Sequence, residues 1–147
     1  MTQINHNDPF ELNRFLKAQE RMYNQALREL KEGHKRSHWI WYIFPQLDGL
    51  GYSANAKYYG IKSIEEAQQY LEHPILGKRL LECTEAVLAV ENKTISEIMN
   101  YPDDLKLKSS MTLFNCVANI PDSVFLQVLA RYYNGQQDVR TIELLKQ

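Results

Sequence analysis

Along the opening third of the chain, apolar positions return at Phe15, Met22, Tyr23, Ala26, Leu27 and Leu30, the spacing of one helix face. Glu20, Arg21, Gln25, Arg28, Glu29 and Lys31 fall between them and predict a wet face. Asn7 or Asp8 can cap this helix, with Pro9 in its opening turn, and Gly33 is a natural stop. The period then disappears. From Trp39 to Phe44 the chain reads Trp-Ile-Trp-Tyr-Ile-Phe, with no polar face, which predicts a segment buried on nearly all sides. Pro45 ends it. Residues 46–61 show no sustained period and carry Gly49, Gly51 and Gly60, so they predict a long ordered loop with room for one helical turn. Such loops are uncommon inside compact domains and often serve function; the alternative is a surface excursion pinned by its own tyrosines.

Helical patterning resumes at Ser63. Ser63 with Glu66 fits a capping box ahead of Ala67, Tyr70 and Leu71, and His73-Pro74 breaks that helix and starts another, with Pro74 in its first turn. Leu76, Leu80, Thr84, Val87 and Leu88 form the next buried stripe. Thr94 with Glu97 is a second capping box, for a short helix bearing Ile95, Ile98 and Met99. Asp103 or Asp104 is placed to cap a helix with Leu107, Met111, Phe114 and Ala118 on one face. Pro121-Asp122 predicts the start of a helix that Gly135 stops, and Asp138 the cap of a last one. The pattern as a whole predicts an all-α, compact single-domain bundle over residues 1–147. It has about six to seven short helices, and at most one short strand-like piece near residues 39–44.

Composition narrows the function classes. With 147 residues, 44% hydrophobic and 24% charged, the chain has the make-up of a soluble globule. A net charge of −1 gives no global attraction to nucleic acid or an anionic membrane, so neither is expected as a partner. No apolar run approaches the ~20 residues of a membrane helix. The amino-terminal residues lack a basic segment followed by an apolar one, and a cytoplasmic location is expected. Cys83 and Cys116 show no paired metal spacing and are expected to be reduced and buried. Glu82 and Glu85 near Cys83 would raise its pKa, which argues against a nucleophile. His6, His34, His38 and His73 form no ligand pattern, so no metal or cofactor is expected.

Two polar clusters carry candidate chemistry. The first is Lys35-Arg36-Ser37-His38, ahead of the aromatic run. Histidine titrates near neutrality and adjacent cations can hold a phosphate or carboxylate; the alternative is a solvated basic turn. The second is Asp103 to Thr112, where Lys106 and Ser110, and Lys108 and Thr112, share helix faces four residues apart. A helix opening here can meet an anion. The alternative is solvated lysines, with Ser109, Ser110 and Thr112 satisfying buried groups.

These blocks carry a resemblance. Asn7-Asp8-Pro9-Phe10, Lys35 to Gln46, Gly49-Leu50-Gly51, Tyr59-Gly60-Ile61, His73-Pro74-Ile75-Leu76-Gly77 and Asp103 to Phe114 resemble, in order, the bacterial family called domain of unknown function 1810. The resemblance implies a soluble, mostly helical domain and brings no established activity or assigned catalytic residue. Some members carry the label calpastatin, which implies a disordered protease inhibitor. Two Trp, nine Tyr and five Phe are the aromatic content of a folded globule, and the label is not carried over.

The leading expectation is a small-ligand site between the two clusters. Trp39 or Trp41 would stack on a flat ring, and Lys35, Arg36, Lys106 or Lys108 would meet an anionic group. Ser37, Gln46, Ser109 and Ser110 would supply further polar contacts. His38 would act as acid and base, with Asp104 orienting it or touching a ribose. A nucleotide-like or ADP-ribose-like anion meets those needs, and if the site is catalytic, hydrolysis of a glycosidic or phosphoryl bond is the natural reaction. The second expectation is a non-enzymatic interaction module that uses Tyr52, Tyr58 and Tyr59 as anchors.

Overall fold

The computed structural model describes residues 8–147, so the cap proposed at Asn7, the residue His6 and the amino-terminal pattern lie outside the described residues. The protein is all-α. Among the described residues there are nine helices: α1 (Asn13–Glu32), α2 (Ile40–Ile43), α3 (Ala54–Tyr58), α4 (Ile64–Glu72), α5 (Leu76–Ala89), α6 (Ile95–Met99), α7 (Asp103–Ala118), α8 (Val124–Tyr132) and α9 (Val139–Leu145). The excess over six to seven comes from two short pieces. The aromatic run is the one-turn helix α2 rather than a strand, and the long loop contains α3. An apolar run of six residues is compatible with either state, and here α2 packs against α1, α5 and α7.

Local capping explains most of the boundaries. Asp8 accepts the N–H groups of Leu12 (2.7 Å) and Asn13 (2.9 Å), so α1 begins after Pro9 and not with it. Gly33 closes α1 in the left-handed region at φ 74°. Thr94 and Glu97 form the full capping box of α6. At α4 only half of the box exists, because the Glu66 carboxylate turns away to Lys62 N and Arg14. Ser123, not Asp122, caps α8, and Pro102 rather than an aspartate holds the cap position of α7. The His73 imidazole accepts the N–H groups of Ile75 and Leu76 through Nδ1, a cap that Pro74 cannot supply.

The core runs through α1, α4, α5, α7 and α8. Phe15 meets Tyr70 edge-on at 5.0 Å between ring centroids, Tyr70 meets Phe114 at 5.6 Å, and Phe114 meets Phe125 at 5.9 Å. This chain of rings links four helices. Residues 109–114 of α7 are all buried, so the middle of that helix has no wet face and its hydroxyls must find partners inside. Gly77 marks the closest approach of α4 and α5: a Cβ there would lie 2.0 Å from the Leu71 carbonyl oxygen.

One position inverts the polar pattern of α1. Glu29 is buried, although it lies among the residues that alternate with the apolar stripe. Its Oε1 accepts from Arg36 N (2.8 Å), Ser37 N (3.0 Å) and Trp39 Nε1 (2.9 Å). Its Oε2 accepts from Ser37 Oγ (2.6 Å) and Gln25 Nε2 (3.0 Å). Burial alone would raise the Glu29 pKa, but the bonds from Ser37, Arg36 N–H, Trp39 and Gln25 overcome it and hold the carboxyl at about 2. Cys83 is buried in the core, and burial with the nearby Glu82 pushes its thiol up to about 12. Cys116, by contrast with the expectation, is exposed, because it lies on the outer side of the last turns of α7.

Two predictions follow from this packing. Glu29→Gln leaves shape intact but removes the charge, and it should cost about 3 kcal/mol in urea unfolding at neutral pH. Because the folded carboxyl titrates below the ordinary glutamate value of 4.5, the unfolded chain takes up that proton first as pH falls. The difference in stability between wild type and Glu29→Gln should therefore be full above pH 4.5 and shrink toward pH 2. A difference that does not change over that window would contradict the role assigned to Glu29. Gly77→Ala should destabilise by more than the ~1 kcal/mol typical of a point substitution, since its methyl meets a backbone carbonyl; a melting temperature unchanged from wild type would contradict the close approach.

Candidate functional site

The chain from Gln46 to Ile61 leaves the core and returns to the same place. Asp48 N donates to Ile61 O (2.8 Å) and Ile61 N donates to Gln46 O (2.9 Å), forming an isolated parallel bridge between Leu47 and Ile61. Arg14 braces the return strand of this loop: Nε donates to Tyr58 O (2.8 Å), Nη2 to Gly60 O (3.2 Å), and Nη2 pairs with Glu66 Oε2 at 2.6 Å. The loop is thus pinned by backbone bonds and an arginine, with Tyr59 packed against Phe15, Tyr42 and Tyr58.

Between this loop and α7 lies a cavity of about 300 Å3. One wall is Trp41 of α2 with Gln46, Leu47 and Leu50. Ala56, Tyr59 and Gly60 close the loop side. Pro102, Leu105, Lys106 and Ser109 come from the start of α7, and Asp138 and Arg140 from α9. The lining is largely apolar with a few convergent polar groups, the usual make-up of a ligand site.

The polar groups have defined surroundings. Lys106 Nζ stands 4.4 Å from the centroid of the Trp41 ring and 3.3 Å from Asp103 Oδ1. Arg140 is exposed and forms no salt bridge among the described residues. Asp138 caps α9: Oδ2 accepts from Thr141 N (3.1 Å) and Ser109 Oγ (3.0 Å), and Thr112 Oγ1 receives the Asp138 N–H at 2.9 Å. Its Oδ1 takes no hydrogen bond among the described residues. Burial, with Tyr58 close by, pushes the Tyr59 phenol above its usual range, so it presents a neutral hydroxyl. Gln46 is 7% exposed and its Nε2 is buried without a partner.

Of the residues singled out in the sequence, Trp41, Gln46, Lys106 and Ser109 line this cavity. The others sit elsewhere. Trp39 is fully buried and spends its indole N–H on Glu29, so it offers no face to a ligand. Lys35 is buried, pairs with Asp103 at 2.8 Å, covers the Trp39 ring at 4.8 Å and donates to Ser37 O. Arg36 is exposed and pairs with Glu32, one turn back on the surface. Ser37 belongs to the Glu29 cluster. His38 is exposed and does not line the cavity. Asp104 is buried, accepts from Ser96 Oγ (2.8 Å), and no hydrogen bond joins it to His38 among the described residues. Lys108 lies 6.0 Å from the Tyr133 ring centroid. Ser110 Oγ is buried without a partner and away from the cavity lining.

Asp138 and Arg140 were not anticipated as site members, and Tyr59 was anticipated only as an anchor of the interaction module. Asp138 was legible as a cap, and the hydroxyl run on α7 was the one local signal that something polar docks there. Nothing in the sequence spacing connects Arg140 to Trp41. Among the described residues no group of His, Cys, Asp and Glu could hold a metal ion, and no helix is long and apolar enough to cross a membrane.

Comparison with known proteins places this arrangement in a family. The chain is similar to the crystal structure of the conserved hypothetical protein Rv1873 from Mycobacterium tuberculosis, at 52% sequence identity and a TM-score of 0.92, covering 95% of this chain and 99% of that one. No curated protein matches it. The model of the family described as "Protein of unknown function (DUF1810)" matches residues 9–145, nearly the whole chain, and the protein belongs to that family.

Proposed function

We propose that the cavity between the 46–61 loop, α7 and α9 binds a small anionic molecule that carries a flat ring, of nucleotide or ADP-ribose type. The observation that carries this reading is the pairing of Trp41 and Tyr59 with Lys106 and Arg140 around one cavity of about 300 Å3. The volume stands at the small end of ligand pockets and accommodates one ring system with its anionic group; a longer ligand would extend past the mouth. Lys106 already has Asp103 at 3.3 Å, whereas Arg140 has no ion pair among the described residues and is suited to bidentate contact with an anionic phosphate. The unengaged Oδ1 of Asp138 is an acceptor for a ribose hydroxyl, the part first given to Asp104.

Binding, rather than hydrolysis, is what these residues support. His38 does not line the cavity, and the one carboxylate that does is held by Ser109 and Thr141. The interaction-module reading has a narrower basis: Tyr52 is 84% and Tyr58 58% exposed, while Tyr59 is half-buried among other rings.

A screen of nucleotides, nucleosides, ADP-ribose and sugar phosphates should give one class with a saturable change in tryptophan fluorescence and a raised melting temperature. A hundredfold excess over Kd stabilises by ~2.7 kcal/mol, which a thermal melt detects. Trp41→Phe should remove the fluorescence response, since Trp39 is sealed in the core. Lys106→Ala and Arg140→Ala should each weaken binding about tenfold or more, and Lys108→Ala should leave it unchanged. If no compound in the screen binds, the ligand-site reading is wrong.

A further inference from the structure

Gln46 has a side chain with no work to do in the protein alone. It lines the cavity, it is 7% exposed, and its Nε2 is buried without a hydrogen-bond partner among the described residues. An unpaired buried amide destabilises a fold, and native structures keep few of them. Its position is not loose: the Gln46 carbonyl accepts the Ile61 N–H at 2.9 Å, and Phe44, Pro45 and Leu47 around it are buried. A rigid backbone therefore presents a free amide at the wall that also holds Trp41. Its Nε2 is closed to solvent in this structure, and a turn about the last side-chain torsion brings one donor beside one acceptor to the cavity.

We infer that Gln46 determines the specificity of this cavity, and that its amide reads a ring edge bearing a neighbouring donor and acceptor, as adenine carries at N6 and N7. Glutamine pairs with that edge through two hydrogen bonds, N–H to N7 and carbonyl oxygen to the N6 amino group. The ligand class is then an adenine nucleotide, with its anionic group toward Lys106 and Arg140, and neither a sugar phosphate nor a simple aromatic acid. This inference rests on the ligand-site reading above and adds the identity of the ring. The other orphaned polar atom among the described residues, Ser110 Oγ, does not line the cavity and plays no part in it.

The test is calorimetric titration of wild type, Gln46→Met and Gln46→Glu with AMP, purine riboside 5′-monophosphate and ribose 5-phosphate. The purine riboside keeps the ring and N7 but lacks the 6-amino group. Wild type should bind AMP about tenfold tighter than the purine riboside, and ribose 5-phosphate more weakly still. Gln46→Met keeps the length of the side chain and should bind both purines equally and weakly. Without ligand it should melt at or above the wild-type temperature, because it removes an unpaired amide. Gln46→Glu, which exchanges the donor for a charge that repels the anion, should lose binding altogether. Equal wild-type affinity for the two purines, unchanged AMP affinity in Gln46→Met, or a Gln46→Met melt several degrees lower would each overturn the inference. If wild type binds all three compounds alike, or none of them while another compound of the wider screen binds, only the adenine reading falls; if nothing in that screen binds, the ligand-site reading falls with it.

Discussion

The Glu29 carboxylate is the constraint on which the rest of the structure depends. Five donors from Gln25, Arg36, Ser37 and Trp39 converge on its two oxygens. They tie the end of α1 to the turn that follows and fix the orientation of Trp39, the largest fully buried side chain. A buried carboxylate is stable only with such a set of donors, and each donor is in turn directed by it. The position of α2 follows, because Trp39 is its cap residue, and with α2 comes Trp41 at the wall of the cavity.

The same logic, a polar group buried where it is satisfied by a distant segment, recurs at the other end of the site. Glu66 is held by Arg14 and Lys62 N, and the arginine also grips the carbonyls of Tyr58 and Gly60. Ser109 and Thr112 reach from α7 to the cap residue of α9. Lys35 and Lys106 share Asp103, one oxygen each, which joins the turn before α2 to the first turn of α7. Buried ion pairs of this kind do little for net stability but are costly to break, so they act mainly to hold segments in register. In this protein the segments they register are the walls of one cavity.

The contrast between the two orphaned groups found among the described residues is informative. Ser110 Oγ lies in the stretch 109–114 of α7 that is buried throughout, and it does not line the cavity. Gln46 is larger, placed on a pinned backbone, and borders open volume. The fold satisfies Gln19, also buried, with Tyr42 O (2.7 Å), Tyr70 Oη (3.0 Å) and Arg79. The fold thus pairs one buried glutamine fully and leaves the Nε2 of the other without a partner beside a cavity.

What the sequence determined alone was local. The 3.6-residue period, the stop at Gly33, the capping box at Thr94 and Glu97 and the cap at Asp138 placed α1, α6 and α9, because these depend on residues within one turn of each other. The all-α class followed from them. The short aromatic run was the exception: six apolar residues carry no period, and only contact with α1, α5 and α7 made them a helix turn. The candidate site was half legible. Trp41, Gln46, Lys106 and Ser109 could be named from their segments, but the same reasoning named Lys35, Ser37, Trp39 and Asp104 beside them. Which of these faces a cavity and which is consumed inside depends on partners 7 to 10 residues away for Glu29 and 68 for Lys35, the gap between 35 and 103. No pattern of residue types along a chain encodes those distances. Tertiary structure decided them, because a side chain is free for function only after the buried charges have chosen their partners.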